Sequence, residues 1–201
     1  MSLQKVTTSK AKIMRTTKVN TFIIGCFVVI FLSISNKSWS DTVLKDNFEK
    51  LNLWEYIADD VMGGVSKGNV KFQSIEGGNI ALLQGDVSTE NNGGFIQIRR
   101  ALRDIDLHEA KSVKIIAKGN DQAYFVFLRT TGTVLPWQYY SAEFRVTENF
   151  EEFILPIDKF KKSGLLMTGK VNPKNITSIG LVAFGRDHQA ELHVKEVEFI
   201  N

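Results

Sequence analysis

The residues that could do chemistry concentrate in one segment, Asp59-Asp60-Val61-Met62-Gly63-Gly64-Val65-Ser66. Adjacent carboxylates can cap turns by accepting backbone N–H groups, or they can bind a hard cation such as calcium. Two successive glycines permit positive φ and a close approach of the backbone to a neighbour. The segment is therefore either a ligand-binding loop or a tight structural turn, with Met62 packed into the core. Turn chemistry alone accounts for these residue types, so we favour the structural interpretation.

A second polar segment, Glu90-Asn91-Asn92-Gly93-Gly94-Phe95, leads into an alternating stretch that contains Arg99. Asn-Gly before such a stretch predicts a turn. The alternative is a polar rim, in which the two asparagine amides and Arg99 offer hydrogen bonds to sugar hydroxyls or to a peptide. An ion pair between Arg99 and a carboxylate of the first segment would instead be structural, and the residue types do not decide between these roles.

Aromatic residues form a third candidate site, since Trp137, Tyr139 and Tyr140 follow Leu135-Pro136 in a predicted loop that enters a strand. If they are exposed, they offer a stacking platform for sugar rings or a hot spot for a protein partner. If they are buried, they form the edge of the core, and we expect this for at least two of the three. The candidate ligand- or partner-binding residues are therefore Asp59, Asp60, Met62, Gly63, Gly64, Asn91, Asn92, Arg99, Trp137 and Tyr140.

Catalytic interpretations find little support in the sequence. The histidines His108, His188 and His193 are scattered, and none has the paired helical spacing of a zinc protease. Asp187-His188 is more typical of a solvated loop than of a metal site. No nucleophile elbow and no phosphate-binding loop occur. A glycosidase pair of carboxylates stays open as an alternative, but no pair stands out. We predict a non-enzymatic protein with no cofactor, no metal and no catalytic residue.

The elements that must position these residues are short strands. Apolar-alternating stretches are bounded by Gly, Asn, Asp or Pro, and their spacing predicts an all-β jelly-roll β-sandwich. The predicted strands are Asn69–Ile75, Asn79–Val87, Gly94–Arg99, Ser112–Lys118, Ala123–Thr130, Tyr139–Val146, Glu151–Pro156, Ser178–Gly185 and Glu191–Ile200.

Three finer expectations follow from the pattern. Tyr124–Leu128 is apolar on both faces, which predicts a central strand covered by the other sheet on one side and by a loop on the other. The alternation in the last strand slips by one residue near Lys195-Glu196, which predicts a bulge. Ile157–Lys162 is the one stretch that favours a helical turn.

The first forty residues differ from the rest. A basic stretch runs to Lys18, an apolar run of 14 residues covers Thr21 to Ile34, and a short polar segment ends at Ser40. Ser38 and Ser40 are placed as a small-x-small cleavage site before Asp41. We predict a cleavable export signal over residues 1–40, or else a retained N-terminal anchor, although the run is shorter than the ~20 residues of a spanning helix. Met14 is an alternative start.

This leader places the domain of residues 41–201 outside the cytoplasm, in the periplasm or anchored to the outer face of the inner membrane. Cys26, the one cysteine, lies within the apolar run, so the predicted mature domain has no thiol chemistry. All six basic residues of the leader are unopposed by acids, and without them the formal net charge falls from +3 to −3. An acidic domain has no footprint for nucleic acid, and we expect no nucleic-acid partner.

Several motifs together resemble the complex I intermediate-associated protein 30 family. They are Trp54 with the Asp59–Ser66 segment, Gly85-Asp86-Val87-Ser88, and Glu90–Phe95 leading to Arg99. Later segments that match are Gly119 to Tyr124 with Arg129, Tyr140-Ser141-Ala142-Glu143-Phe144, Leu155-Pro156 with Phe160, and Ile179-Gly180-Leu181. The resemblance covers about residues 43–200.

The resemblance implies a galactose-binding-like jelly roll and a non-catalytic role, because mitochondrial members act as chaperones in assembling respiratory complex I. The leader lacks the Arg-rich amphipathic pattern of a mitochondrial transit peptide, so the partner need not be complex I. The peripheral arm of bacterial complex I is cytoplasmic, and an exported protein would meet only the membrane arm. The sequence thus predicts a binding or assembly factor for protein partners, respiratory-complex or other envelope subunits, with a carbohydrate-binding module as the alternative.

Overall fold

The computed structural model describes residues 41–201, which form two antiparallel β-sheets and short 3-10 turns, with no α-helix in this range. The strands are β1 (Thr42–Asp46), β2 (Trp54–Ala58), β3 (Lys67–Ile75), β4 (Gly78–Val87), β5 (Phe95–Ala101), β6 (Ser112–Gly119), β7 (Ala123–Thr130), β8 (Tyr140–Arg145), β9 (Glu151–Pro156), β10 (Lys161–Lys162), β11 (Ile176–Phe184) and β12 (His188–Ile200). The all-β sandwich is confirmed.

Sheet A has the order β3-β4-β12-β6-β9, and the long strand β12 organises it. The first half of β12 pairs with β4, the second half pairs with β1, and β6 runs along its other edge. The pairing with β6 shifts register between Val194 and Glu196. The slip in alternation near Lys195 is therefore a bulge, which keeps Val194 and Val197 both facing the core.

Sheet B has the order β10-β8-β7-β11-β5-β2 and presents one face to the core and one face outward. In β7 the residues Tyr124, Val126 and Leu128 are fully buried against sheet A. On the outer face Phe127 is covered by the loop before β8, whose Tyr139 stacks on it with a centroid separation of 3.8 Å. The central position of β7 and its loop cover agree with the prediction.

Three elements differ from the sequence expectations. The strands β1 and β2 were not predicted, because Thr42–Asp46 and Trp54–Ala58 are five-residue stretches interrupted by charged residues. The predicted helical turn at Ile157–Lys162 is shorter: a 3-10 turn covers Ile157–Lys159, and Lys161–Lys162 form β10 at the edge of sheet B.

The predicted export signal and the alternative start at Met14 lie outside the described residues. Within residues 41–201, no helix is long and apolar enough to cross a membrane.

Candidate functional site

A cleft of about 530 Å³ lies on the outer face of sheet B. Three adjacent strands, β5, β11 and β7, supply most of its floor, and the segments 61–62, 92–93 and 136–139 supply its walls. The lining residues are Ile57, Val61, Met62, Asn92, Gly93, Phe95, Gln97, Arg99, Phe127, Arg129, Pro136, Trp137, Tyr139, Ser163, Ser178, Gly180 and Phe184. Among them there is no carboxylate, no histidine and no lysine.

Gly180, in the middle of β11, lies in the floor of the cleft. Its register partners are Arg99 on β5 and Phe127 on β7, so a residue without a side chain separates a guanidinium from an aromatic ring. A Cβ atom at this position would lie 2.6 Å from the side-chain oxygen of Gln97, the end of a flexible side chain. The space beside the glycine is therefore occupied by the amide of Gln97, which forms this part of the floor.

Aromatic rings form one end of the cleft. Tyr139 stacks face to face on Phe127, with an interplanar angle of 9°, and both rings meet the edge or face of Phe184 at centroid distances of 6.0 and 5.4 Å. Burial in this cluster raises the pKa of the Tyr139 hydroxyl, which therefore stays protonated at neutral pH. The neighbouring Trp137 is 60% exposed and offers free ring surface to a ligand.

Arg129, on β7, holds the loop that carries Trp137. Its guanidinium donates to the backbone oxygens of Thr133 and Leu135 at 3.0 Å and of Pro136 at 3.3 Å. No carboxylate within residues 41–201 pairs with it. Burial, together with the charges of Arg99 and Arg103, lowers the pKa of Arg129. The residue is thus both a clamp for the loop and an unneutralised positive charge beside the floor.

Arg99 does not pair with Asp59 or Asp60 but with Glu55 on the neighbouring strand β2. The Nε and one terminal nitrogen of Arg99 donate to Oε1 of Glu55 at 3.0 and 2.7 Å. Because both donors reach one oxygen, the other terminal nitrogen of Arg99 is left for a ligand. The ion pair between Arg99 and a carboxylate of the first segment, one of the roles that the sequence left open, does not form.

The carboxylate of Asp59 is fully buried and joins the two glycine-rich segments. It accepts hydrogen bonds from the backbone N–H groups of Ser66, Gly94 and Phe95 and from the hydroxyl of Ser66. Burial by itself raises the pKa of Asp59, but these hydrogen bonds, led by that from Gly94, outweigh it and lower the pKa below its ordinary value. The role of Asp59 is therefore structural: its carboxylate holds the two segments together.

Glycines close around this carboxylate. A Cβ atom on Gly64 would lie 2.3 Å from Cγ of Asp59, and one on Gly93 would lie 2.5 Å from Oδ2. Gly63 instead adopts φ 89° and ends the 3-10 turn Asp59–Met62 by donating its N–H to the carbonyl of Asp60. The two glycine pairs therefore serve close approach and turn closure, and the structural interpretation of the first segment agrees with this geometry.

The other predicted site residues separate into two groups. Met62, Asn92, Arg99 and Trp137 all line the cleft, together with Gly93 of the second segment. Met62 is 46% exposed, so the expectation that it packs into the core is wrong. Asp60, Gly63, Gly64 and Asn91 are not among the lining residues. Asp60 is exposed, and its carboxylate accepts the backbone N–H of Val61. Asn91 and Asn92 both adopt positive φ, which agrees with the predicted turn.

Tyr140 lies away from the cleft and is 2% exposed. Its hydroxyl is 2.6 Å from Oγ1 of Thr168. Of the three aromatic residues only Tyr140 is fully buried, whereas Tyr139 is half-buried and Trp137 is exposed, so burial of two of the three was only partly right.

Several lining residues were not predicted, namely Gln97, Phe127, Arg129, Ser178, Gly180 and Phe184. They lie at alternate positions of β5, β7 and β11, on the face opposite to the core. The alternation shows which residues share that face, but the order of strands that brings them together comes only from the topology. Within residues 41–201 no group of three or more His, Cys, Asp or Glu side chains is arranged to hold a metal ion.

The family profile described as complex I intermediate-associated protein 30 matches residues 43–194, from β1 into β12. The chain belongs to this family. The matched range includes the Asp59–Ser66 and Glu90–Phe95 segments, which the buried carboxylate of Asp59 joins. A search of curated proteins finds no match.

Solved structures similar to this complex I intermediate-associated protein 30 domain include carbohydrate-binding modules. A family 11 module from Clostridium thermocellum in complex with a β-1,3-1,4-mixed-linked tetrasaccharide has a TM-score of 0.65 at 18% identity, covering 81% of this chain and 96% of the module. The family 11 module of the cellulosomal cellulase Lic26A-Cel5E has a TM-score of 0.65 at 17% identity, covering 81% and 94%. At these identities the likeness shows the jelly-roll fold.

Proposed function

We propose that this protein is a non-catalytic assembly factor that captures an extended segment of a protein partner in the cleft on sheet B. The observation that carries the proposal is the composition of the cleft walls. Val61 and Met62, exposed at 71% and 46%, line it together with Pro136 and Trp137. Exposed Met and Trp side chains beside arginines are typical of protein interfaces, where large side chains bind and charged acids are depleted.

The polar groups of the cleft suit a peptide with an acidic side chain. Arg99 keeps one terminal nitrogen free, and the charge of Arg129 has no carboxylate partner within residues 41–201. Gln97 and Asn92 can both donate to and accept from a peptide backbone. The described domain has a formal net charge of −3, so the positive floor of the cleft is a local feature that favours an anionic group there.

The same lining supports a role without catalysis. General acid–base chemistry at neutral pH uses His, Asp, Glu, Cys or Lys, and hydrolysis of a glycosidic bond uses a pair of carboxylates. None of these side chains lines the cleft. The Tyr139 hydroxyl, whose pKa is raised by burial, stays protonated at neutral pH and so provides no phenolate to act as a base.

A second candidate is an oligosaccharide. The exposed ring of Trp137 favours it, because sugar rings stack on flat aromatic surfaces, and the family 11 module of similar fold is described with a bound tetrasaccharide. The aliphatic wall at Val61 and Met62 argues for the peptide, since these side chains offer neither a flat ring nor a hydrogen bond.

The place of action is part of the proposal. The basic and apolar leader in residues 1–40 supports export, so the partners would be respiratory or other envelope subunits reached from outside the cytoplasm. A mature N-terminus at Asp41, read by mass spectrometry of the protein isolated from its own cells, is the expected result. An intact leader on protein recovered from the cytoplasm would contradict it.

The binding role is tested with a variant that adds a side chain at Gly180. Gly180→Val places a branched side chain on the cleft floor, where Gln97 can move aside, and leaves the core face of β11 unchanged. Gln189→Val is the matched control, because Gln189 is an exposed strand residue on sheet A. Both variants and the native chain are applied to a peptide array that tiles the respiratory and envelope proteins of the source organism, and to a glycan array.

We expect peptides that carry apolar residues and an Asp or Glu to bind the native chain and the control, and to lose at least tenfold in affinity with Gly180→Val. Glycans bound in the same pattern, with no peptides, would replace the proposal by the oligosaccharide. Peptides bound equally by all three proteins would show that the cleft is not the site. Binding to neither array would reject both candidates.

A further inference from the structure

The segment 163–170, which follows β10 and which we name the Leu165 loop, exposes two adjacent leucines. Leu165 and Leu166 have 93% and 95% of their surface accessible, more than any other large apolar residue within residues 41–201. Single exposed leucines are ordinary, but two neighbours at a loop tip are a concentrated apolar surface with nothing covering it in the described chain.

The Leu165 loop is fixed on both sides of its tip. The ammonium group of Lys162 donates hydrogen bonds to the backbone oxygens of Leu165 and Met167, at 3.2 and 3.0 Å. The side chain of Met167 is buried in the core, and the hydroxyl of Ser163 donates to the backbone oxygen of Trp137 at 3.0 Å. The tip therefore points outward because its neighbours are anchored, and the two leucines are held ready for an apolar contact.

The chain on either side of this tip is rich in lysine. Residues 157–175 contain five of the nineteen basic residues of the described chain but only one of its twenty-two acids. The lysines are Lys159, Lys161, Lys162, Lys170 and Lys174, and the acid is Asp158. Only Lys159 forms an ion pair, at 3.8 Å from Asp158, so the others carry charge that no acid of the described chain neutralises by contact. These five lysines, which we name the basic collar, give the chain next to the tip a positive charge within a domain whose net charge is −3.

The hydrogen bond from Ser163 also ties the Leu165 loop to the loop that carries Trp137. Trp137 is exposed, and so are Val134 and Leu135 of the same loop. Tryptophan prefers the headgroup level of a bilayer, where its ring is apolar and its N–H stays wet. The two linked loops together expose aliphatic tips and an indole, and lysines adjoin the Leu165 tip in the sequence.

We propose that the Leu165 loop docks this domain on an anionic lipid bilayer, with Leu165 and Leu166 inserted among the acyl chains. Apolar side chains provide insertion, and lysines provide attraction to anionic headgroups; weak peripheral binding takes both. The charge of the collar favours lipid over a second copy of this chain, since two such collars would repel each other. The inference goes beyond capture of a partner in the cleft and does not depend on it.

The experiment follows the tip directly in the full chain, so that any contribution of residues 1–40 is separated. An environment-sensitive fluorophore is attached at Leu166→Cys in a Cys26→Ser background, and a control probe is attached at Glu76→Cys, in the turn between β3 and β4 of sheet A. Both proteins are mixed with vesicles of phosphatidylglycerol and phosphatidylcholine, and with vesicles of phosphatidylcholine alone.

We expect a blue shift at position 166 with the mixed vesicles only, and none at position 76. The shift should weaken as salt reduces the Debye length from about 10 Å to about 3 Å. Lys161→Gln/Lys170→Gln should weaken vesicle binding, seen by the same probe, by about fivefold for each lysine. Leu165→Ser, which removes the remaining tip leucine, should weaken it by about tenfold.

The absence of a blue shift at position 166 with both kinds of vesicle would overturn the proposal. Equal shifts at positions 166 and 76 would overturn it as well. A shift that is equal on neutral vesicles and insensitive to salt would remove the role of the lysines. A shift that grows with protein concentration in the absence of vesicles would assign the tip to a second copy. Equal urea midpoints for all the variants exclude misfolding as a cause.

Discussion

The backbone N–H of Gly94 donates to Oδ2 of Asp59, thirty-five positions earlier in the chain. The same oxygen accepts the N–H of Phe95, while the other carboxylate oxygen accepts the N–H of Ser66. One buried side chain therefore closes the segment after β2 and joins it to the start of β5. Both segments reach the cleft, through Met62 on one and Asn92 on the other. The Asp59 carboxylate therefore positions a wall of the cleft, although it does not itself line the cleft.

Asp59 should be one of the most sensitive positions of the described chain. Asp59→Asn replaces an acceptor oxygen by a donor, which then faces the N–H groups that it should accept, and it removes the charge that strengthens these hydrogen bonds. We expect a loss of about 2–4 kcal/mol in the free energy of unfolding, measured by urea denaturation. Asp60→Asn is the matched control and should change it by less than about 0.5 kcal/mol. Similar losses for both variants would contradict the role of Asp59.

The stability contributed by Asp59 should depend on pH in one direction. Its pKa in the folded protein is below the ordinary value of 3.8, so the folded state binds the proton less readily than the unfolded state does. The contribution is complete well above pH 3.8 and is lost as the pH falls from there through the folded pKa. The difference in the free energy of unfolding between the native protein and Asp59→Asn should therefore shrink as the pH falls. A constant difference in the free energy of unfolding between pH 7 and pH 3 would contradict this.

Gly93 is required because a side chain would have no room here, and not because its φ angle excludes other residues. Its φ of −76° is accessible to any residue, but a Cβ atom would lie 2.5 Å from Oδ2 of Asp59 and 3.0 Å from Cα of Gly64. We expect Gly93→Ala to cost about 1–3 kcal/mol in the free energy of unfolding. At Gly132 the nearest atom to a new Cβ lies 3.7 Å away, so Gly132→Ala should be close to neutral. If denaturation shows equal effects, the close-approach argument is wrong.

The fold was predictable because apolar alternation has a period of two and survives in most strands of this chain. The bulge near Lys195 could be located because a one-residue slip exchanges the two faces of β12. The strands β1 and β2 escaped prediction, since five residues with internal charges hardly show a period. Pairing makes them strands: β1 adds to β12, and β2 adds to β5.

The candidate site was only half predictable. Turn chemistry marked the segments at Asp59 and Gly94, but not that one carboxylate joins them, because the contact spans thirty-five positions. Arg129 is one of the residues that match the family, but its place in the sequence indicates no role. Its function as a clamp depends on a loop that turns back over it. Gly180 lies in the cleft floor between Arg99 and Phe127 only because β11 lies between β5 and β7. Such relationships depend on three-dimensional neighbours that a linear pattern does not contain.

Arg129 gives the last prediction, since it holds the Trp137 loop through three backbone carbonyls at once. A lysine at this position keeps the charge, but its compact ammonium cannot reach all three acceptors in the planar arrangement of a guanidinium. We expect Arg129→Lys to leave the core intact and to speed amide exchange at Thr133 and Gln138 by about tenfold, the equivalent of ~1.4 kcal/mol of local stability. Arg145→Lys, at an exposed position of β8, is the control and should leave exchange unchanged. Unchanged exchange in Arg129→Lys would show that charge alone is sufficient, whereas faster exchange throughout the chain would show a global role for the arginine.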